Sequence, residues 1–112
     1  MGTFCIFVKY ISDQWKEFLR KVHYVSFGKK HSDSEQYLKT WYDTVKNSIW
    51  NNPNEVKQTY VNASILKSNR IVFNIKGNSY RLVAKFNFEK QWVFIRFIGT
   101  HTEYDKIDAN TI

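Results

Sequence analysis

Cysteine is almost absent from this chain of 112 residues, which has a single one, Cys5. One thiol cannot form an internal disulfide, and it cannot build a zinc site that is held by several cysteines. Disulfides are typical of oxidising compartments, so this composition indicates a reducing one, and we expect a cytoplasmic protein. Cys5 lies in an apolar run, where a core role is expected rather than a nucleophilic one.

Proline and glycine are also scarce, with one proline and four glycines in the chain. Such a composition argues against long linkers and extensive disorder. No uncharged run approaches the roughly 18 residues that a membrane-spanning helix needs, so no membrane association is expected. A chain of this length has room for one hydrophobic core, and we expect a single domain over residues 1–112.

Several motifs of cofactor and metal chemistry are missing. The chain has no phosphate-cradling G-x-x-x-x-G-K-[ST] loop, no G-x-G-x-x-G and no G-x-S-x-G. Its histidines, His23, His31 and His101, do not have the spacing of metal ligands. We therefore expect neither a cofactor nor a bound metal.

Positive charge and aromatic rings, in contrast, are abundant. The formal net charge is +7, the sequence pI is about 9.5, and aromatic residues make up 18% of the chain. This balance suits a polyanion such as RNA, or an acidic protein partner. A basic charge can also serve solubility alone, so it does not decide between these functions.

Three apolar runs after Arg70 predict consecutive antiparallel strands. Loops at Gly77-Asn78 and Glu89-Lys90 give partners whose numbers sum to 155 in the first hairpin and to 179 in the second. Because side chains alternate along a strand, one face becomes an apolar core. That face holds Ile71, Phe73, Ile75, Tyr80, Leu82, Ala84, Phe86, Val93, Ile95 and Phe97.

The opposite face of this hairpin pair is basic with aromatic rings among the charges. It collects Asn74, Lys76, Arg81, Lys85, Arg96, Val72, Val83, Trp92 and Phe94. In the predicted register Arg96 lies opposite Val83, and Lys85 lies opposite Phe94. We interpret this face as the functional surface, with Asn74, Lys76, Lys85, Trp92 and Phe94 as RNA-binding residues.

The rest of the chain predicts a strand followed by helices. Residues 4–11 favour a strand at the edge of the sheet, and apolar spacing predicts helices over about 13–24, 35–50 and 53–58. The apolar stripe of the second helix is predicted to consist of Leu38, Trp41, Tyr42, Val45 and Ile49. Ser32-Asp33-Ser34 is expected to cap the second helix, and residues 61–69 are expected to form a connector. The predicted fold is α+β, with an N-terminal strand and two to three helices packed on one face of a small antiparallel sheet. We expect the other, basic face to be left open.

Residues for metal-independent RNA cleavage are available on the last strands. Such cleavage needs a base for the 2′-hydroxyl, cations for the phosphoryl oxygens, and an acid for the departing 5′-oxygen. Arg81, Lys85 and Arg96 supply cations, and His101, Tyr104 and Asp105 would share one side of a helical turn. Each of these residues could instead be a solvated or packing side chain, so the sequence pattern alone leaves their roles open.

Four segments resemble the HigB family of RelE-like toxins: WYDTVKNSIW (41–50), RIVFNIKGNSYRL (70–82), VFIRFIGTH (93–101) and EYDKID (103–108). The resemblance runs from about Ser32 to Ala109, and the first thirty residues match poorly. It implies a RelE-like toxin domain over residues 1–112, acting as a ribosome-associated, metal-independent mRNA endoribonuclease of a type II toxin–antitoxin system. Cleavage by 2′-hydroxyl attack on the adjacent phosphate would inhibit translation.

The same resemblance implies a partner and a set of catalytic residues. The partner is a helix-turn-helix antitoxin of the HigA kind. Arg81, Arg96, His101 and Tyr104 stand at the family motifs YRL, IRF, GTH and EYD, which implies catalytic roles. The alternatives are a non-catalytic RNA- or ribosome-binding module, a degenerate toxin that only binds its antitoxin, or a module for an acidic protein partner.

Overall fold

The computed structural model describes residues 6–7 and 32–112. The predicted first strand is seen as Ile6–Phe7, which pairs with the last long strand at the edge of the sheet. The rest of that strand and the predicted helix over 13–24 lie outside the described residues.

The described elements form an α+β fold, as predicted. In chain order they are β1 (Ile6–Phe7), α1 (Glu35–Asn47), α2 (Pro53–Thr59), β2 (Ser64–Ile65), β3 (Arg70–Ile75), β4 (Tyr80–Asn87), β5 (Trp92–Thr100) and α3 (His101–Tyr104). Short 3-10 turns at Ser32–Ser34 and Lys67–Asn69 precede α1 and β3. The sheet is antiparallel throughout, in the order β1-β5-β4-β3-β2.

Helix α1 packs on the sheet through the predicted stripe of Leu38, Trp41, Tyr42 and Val45, each at most 1% exposed. The helix ends at Asn47 rather than at Trp50. The side chains of Asn47 and Ser48 donate hydrogen bonds back to the carbonyls of Asp43 and Thr44. Such bonds compete with the backbone hydrogen bonds that would continue the helix, and Ser48 adopts an extended backbone conformation. Ile49, predicted for the stripe, is 79% exposed, whereas Trp50 is buried in its place.

Helix α2 begins at Pro53, as its fixed φ favours. The side chain of Asn52 caps it by accepting from the Glu55 N–H at 3.0 Å. The residues that follow contain β2, which pairs with β3 through Ser64 and Ile65. This strand was expected to be part of an irregular connector, because two residues are too few to show an alternating pattern.

The first predicted hairpin is confirmed. All six pairs between β3 and β4 sum to 155, from Arg70–Lys85 to Ile75–Tyr80. The Ser79 N–H donates to the Lys76 carbonyl at 3.1 Å and closes the turn. Gly77 has φ +62, a value that glycine adopts without steric cost.

The predicted register of the second hairpin is correct only near its loop. Pairs near the loop sum to 179, including Lys85–Phe94 and Ala84–Ile95, but beyond them the register changes to 180. Arg96 is the extra residue of a β-bulge, so Val83 lies opposite Phe97 and not opposite Arg96. Consequently Ile98, not Phe97, joins the core beneath the helices.

The face predicted to be open carries a second apolar cluster. The minor core consists of Val72, Val83, Phe97 and Ala109, with Leu66, Tyr104, Ile107 and Ile112 packed against it. The segment 104–112 therefore covers the middle of this face, and Val72 and Val83 are 4% and 0% exposed. The prediction of an uncovered face is wrong there, because the alternation along the strands did not reveal what the following segment buries.

No helix among the described residues has the length and apolar character that crossing a bilayer requires.

Candidate functional site

A groove of about 740 Å³ lies beside the minor core on the same face of the sheet. Four residues that the sequence singled out meet in it: Lys85, Trp92, Phe94 and Arg96. The other lining residues are Ser68, Asn69, Phe86, Asn87, Phe88 and Glu89. The groove thus has two cations, one carboxylate and several aromatic rings.

The aromatic wall of the groove is built by Trp92 and Phe94, which share a side of β5 because they are two residues apart. Their rings meet edge to face, with centroids 6.1 Å apart and an interplanar angle of 86°. The Lys90 ammonium lies 4.6 Å from the centroid of the Trp92 ring, within cation–π range. Both rings are partly buried, so the wall is supported and yet accessible.

Arg96 comes to the groove through the β-bulge. A bulge leaves one residue outside the ladder and redirects its side chain, and here that residue lies beside Lys85 and Phe94. The Arg96 Nε is buried, and it has no hydrogen-bond partner within the described part of the chain. A buried guanidinium nitrogen without a partner is costly, so an anion or a base edge in the groove would relieve that cost.

Gln91 shapes the loop between β4 and β5. Its amide nitrogen donates to the carbonyls of Trp50, at 2.7 Å, and Phe88, at 2.8 Å. Its φ of 59° is uncommon for a residue other than glycine. Gln91 is a loop-shaping residue that the sequence did not reveal, because neither hydrophobic alternation nor motif spacing distinguishes it.

A second group of predicted residues surrounds α3. The predicted helical turn is confirmed over His101–Tyr104, and Thr100 and Glu103 form a capping box at its start. The His101 Nδ1 lies 3.9 Å from an Asp105 carboxylate oxygen, and both side chains are more than half exposed. His101 also borders a shallow hollow with Ser79, Tyr80 and Thr102.

Tyr104 lies between the minor core and solvent. Its ring contacts that of Phe97 at a centroid distance of 6.3 Å. Burial raises the pKa of the Tyr104 phenol; the Arg81 guanidinium acts in the opposite direction, and the Asp105 carboxylate adds to the increase. Arg81 itself is held by the carbonyls of Asn78 and Tyr80, to which its Nη1 donates at 3.1 and 3.3 Å.

The structure therefore does not bring all the predicted catalytic residues into one pocket. Arg81, His101 and Tyr104 lie at one end of the face, and Arg96 lies with Lys85 at the other. Arg81 and Lys85 are four residues apart on β4, or about 13 Å at 3.3 Å per residue. Val83 of the minor core lies between Arg81 and Lys85 on β4.

Two predicted RNA-binding residues lie outside the groove. The Lys76 ammonium pairs with Asp33, which also accepts from the Tyr80 hydroxyl at 2.7 Å. These two bonds hold the pKa of Asp33 below its usual value. They also connect the Asp33 side chain to residues next to the β3–β4 turn, whereas the sequence predicted that it would cap α1. Asn74 borders a separate hollow with Tyr60 and Gly77.

Comparison with known proteins identifies the family. The profile of the HigB toxins, described as the RelE-like toxic component of a toxin–antitoxin system, matches residues 34–107. The chain belongs to the HigB toxin family. The matched range includes the groove, α3 and the sequence up to Ile107.

Individual HigB proteins show the same relationship. The chain is 25% identical over 91 residues to an mRNA interferase HigB of Escherichia coli O6:H1, covering 80% of this chain and 88% of that protein. It is 33% identical over 69 residues to the mRNA interferase toxin HigB of Escherichia coli K12, covering 60% of this chain and 66% of that one. An mRNA interferase HigB of Shigella flexneri has the same identity and coverage.

Proposed function

We propose that this HigB family member is the toxin of a type II toxin–antitoxin system and that it inhibits translation by cleaving mRNA as an endoribonuclease. Family membership supports the toxin role, and the relatives named mRNA interferases support the activity. The observation that carries the proposal is the groove in which Lys85 and Arg96 lie beside Trp92 and Phe94. Single-stranded RNA binds to cations through its phosphates and to accessible aromatic rings through its bases.

The groove would bind RNA through two kinds of contact. The guanidinium of Arg96 donates to phosphate oxygens, and the ammonium of Lys85 adds a second positive charge. Trp92 and Phe94 offer ring faces on which an unpaired base can stack. Single-stranded rather than helical RNA is favoured, because bases within a duplex are already stacked on one another.

Cleavage would take place toward α3, with the RNA strand running from the groove past the minor core. The 2′-hydroxyl attacks the adjacent phosphate and gives a 2′,3′-cyclic phosphate and a 5′-hydroxyl end. Arg81 stabilises charge on the phosphoryl oxygens, and His101 and Tyr104 serve in proton transfer. A tyrosine phenol is protonated at neutral pH, the form that can donate a proton, and burial raises the pKa of Tyr104 further in the same direction. Arg96 would hold a neighbouring phosphate.

The biological setting follows from the same proposal. The toxin would act in the cytoplasm, on mRNA at the ribosome, and without a metal ion. A helix-turn-helix antitoxin of the HigA kind would neutralise it by covering or distorting the basic face. A single toxin domain over residues 1–112 would suffice for these activities.

Replacing Tyr104 by phenylalanine tests the chemistry directly. The change keeps the ring that packs on Phe97 and removes only the hydroxyl, so we expect the fold to persist and cleavage to fall by about 10²- to 10⁴-fold. Tyr37→Phe is the matched control, because Tyr37 is an exposed tyrosine on α1. Growth after induction and mapped transcript ends would be measured for wild type and both variants.

The outcomes separate the possible functions. Growth arrest and new 5′-hydroxyl ends with wild type and Tyr37→Phe, but not with Tyr104→Phe, support the nuclease. Arrest by all three proteins without new ends would instead indicate a binding mechanism. Soluble wild-type protein that neither arrests growth nor cleaves RNA would refute the proposal.

One observation favours a second candidate, an RNA-binding module without catalysis. Arg96 lines the groove whereas His101 and Tyr104 do not, so the groove is complete without them. Such a module would bind single-stranded RNA equally well as wild type, Tyr104→Phe and His101→Ala. It would leave transcript ends unchanged.

A further inference from the structure

The turn that leads into β3 has a strained backbone at the edge of the groove. Ser68 and Asn69 have φ values of 57° and 60°, so two consecutive residues other than glycine adopt the left-handed region. Both residues line the groove together with its cations and rings. Strain of this kind persists only where the surroundings enforce it, and it is enriched at functional sites.

The surroundings of this turn do enforce its shape. The Lys67 N–H donates to the side-chain oxygen of Asn110 at 3.3 Å, and the Arg70 Nε donates to the Ile112 carbonyl at 2.7 Å. The Leu66 N–H donates to the Arg70 carbonyl at 2.7 Å and closes the turn. The segment 104–112 thus braces one wall of the groove from outside.

Asn69 brings a side-chain amide to this wall, and the amide is available. The Asn69 side chain is exposed and hydrogen-bonds to no other residue of the described chain. Asn87, the other asparagine of the groove, differs because its side-chain oxygen accepts from the Lys90 N–H at 3.1 Å. Asn69 therefore offers one donor and one acceptor next to a place where a base can stack.

We propose that Asn69 is a specificity-determining residue that reads the edge of an adenine or cytosine base stacked against Trp92 and Phe94. This inference rests on the proposed function and adds the base preference of the same groove. The amide oxygen accepts from the exocyclic amino group, and the amide nitrogen donates to the adjacent ring nitrogen. Lys85 and Arg96 hold the phosphates of that nucleotide and its neighbour, which fixes the base in register.

The variants Asn69→Asp and Asn69→Gly test the proposal. Aspartate has nearly the shape of asparagine and tolerates the left-handed backbone, but it presents acceptors only. It pairs with the N1–H and 2-amino group of guanine and loses the bond to a ring acceptor. We expect adenine and cytosine at one position near the cut to fall relative to guanine by about tenfold, the size of one bidentate contact. Glycine suits the backbone and removes the amide, so it should flatten the preference at that position.

The measurement is the base distribution around mapped transcript ends after induction of each protein. Asn54→Asp is the matched control, since Asn54 lies on α2 outside the groove and makes the same charge change. Its distribution should equal that of wild type. Cleavage by wild type with an unchanged distribution in both Asn69 variants would overturn the inference, as would a uniform loss at all sites. Absence of cleavage by wild type would overturn the proposed function itself.

Discussion

Phe97 provides a test of the unexpected architecture, because sequence alternation assigned it to the main core and the structure assigns it to the minor core. Its side chain is fully buried, and removing a buried phenylalanine typically costs about 3–5 kcal/mol. The minor core is small and partly formed by the segment 104–112, which can relax into the space. We therefore expect Phe97→Ala to lower the free energy of unfolding by about 3 kcal/mol.

Urea unfolding and thermal unfolding would measure this change. Scaling the typical unfolding entropy per residue to 112 residues converts about 3 kcal/mol into a decrease of about 13 °C in Tm. Phe94→Ala is the control on the same strand, because its ring is only partly buried and lines the groove. A cost below about 1 kcal/mol for Phe97→Ala, equal to that of the control, would show that the segment 104–112 does not cover this face.

Two further predictions concern charge. Lys85→Ala should reduce the slope of log affinity for single-stranded RNA against log salt by about 0.7, because one phosphate contact is lost. Lys46→Ala, on the helical side of the sheet, should leave that slope unchanged. Asp33→Asn should destabilise the protein at neutral pH, because Lys76 and Tyr80 hold the pKa of Asp33 below its usual value and the carboxylate therefore stabilises the fold at neutral pH. The difference between the two proteins should disappear as pH falls through the folded-state pKa of Asp33, and a difference in urea midpoint that persists at low pH would contradict this linkage.

The sequence was sufficient for most of the fold because its signals were local. The hairpin around Gly77 has a specific turn residue and clean alternation on both sides, so one loop position determined all six pairs. The stripe on α1 likewise followed from helical spacing. The family resemblance, later supported by the match over residues 34–107, carried the toxin assignment, which composition alone left open.

The register at Arg96 could not be predicted from the same signals. Phe97 and Ile98 are adjacent and both apolar, so either one satisfies the core position on the helical side. The choice depends on Tyr104, Ile107 and the residues after them, which bury whichever of the two side chains turns to the other face. That is a tertiary effect, and a period-two pattern does not contain it.

The residues of the candidate site also divide into those that local sequence patterns predict and those that depend on tertiary contacts. Lys85, Trp92 and Phe94 could be grouped in advance because they come from two strands whose pairing near the loop was correct. Arg96 was assigned to the same face by alternation alone, and its place outside the ladder was not predicted. Asn69 could not be grouped with them in advance, since its contribution depends on a positive φ that distant backbone contacts impose.

The β-bulge connects stability and binding in this protein through neighbouring residues. If the register of 179 continued along β5, Arg96 would lie opposite Val83 and Phe97 would face the helices, and the minor core would lose its largest ring. The segment 104–112 would then have less apolar surface to pack on, and its contacts from Asn110 and Ile112 to the turn at 67–70 would weaken. Ser68 and Asn69 of that turn line the groove, as does Arg96. The inserted residue, Arg96, is thus a cation of the groove, and the bulge also supports the turn at 67–70 through the minor core and the segment 104–112. Variants that remove the bulge should therefore impair RNA binding even where every groove residue is retained.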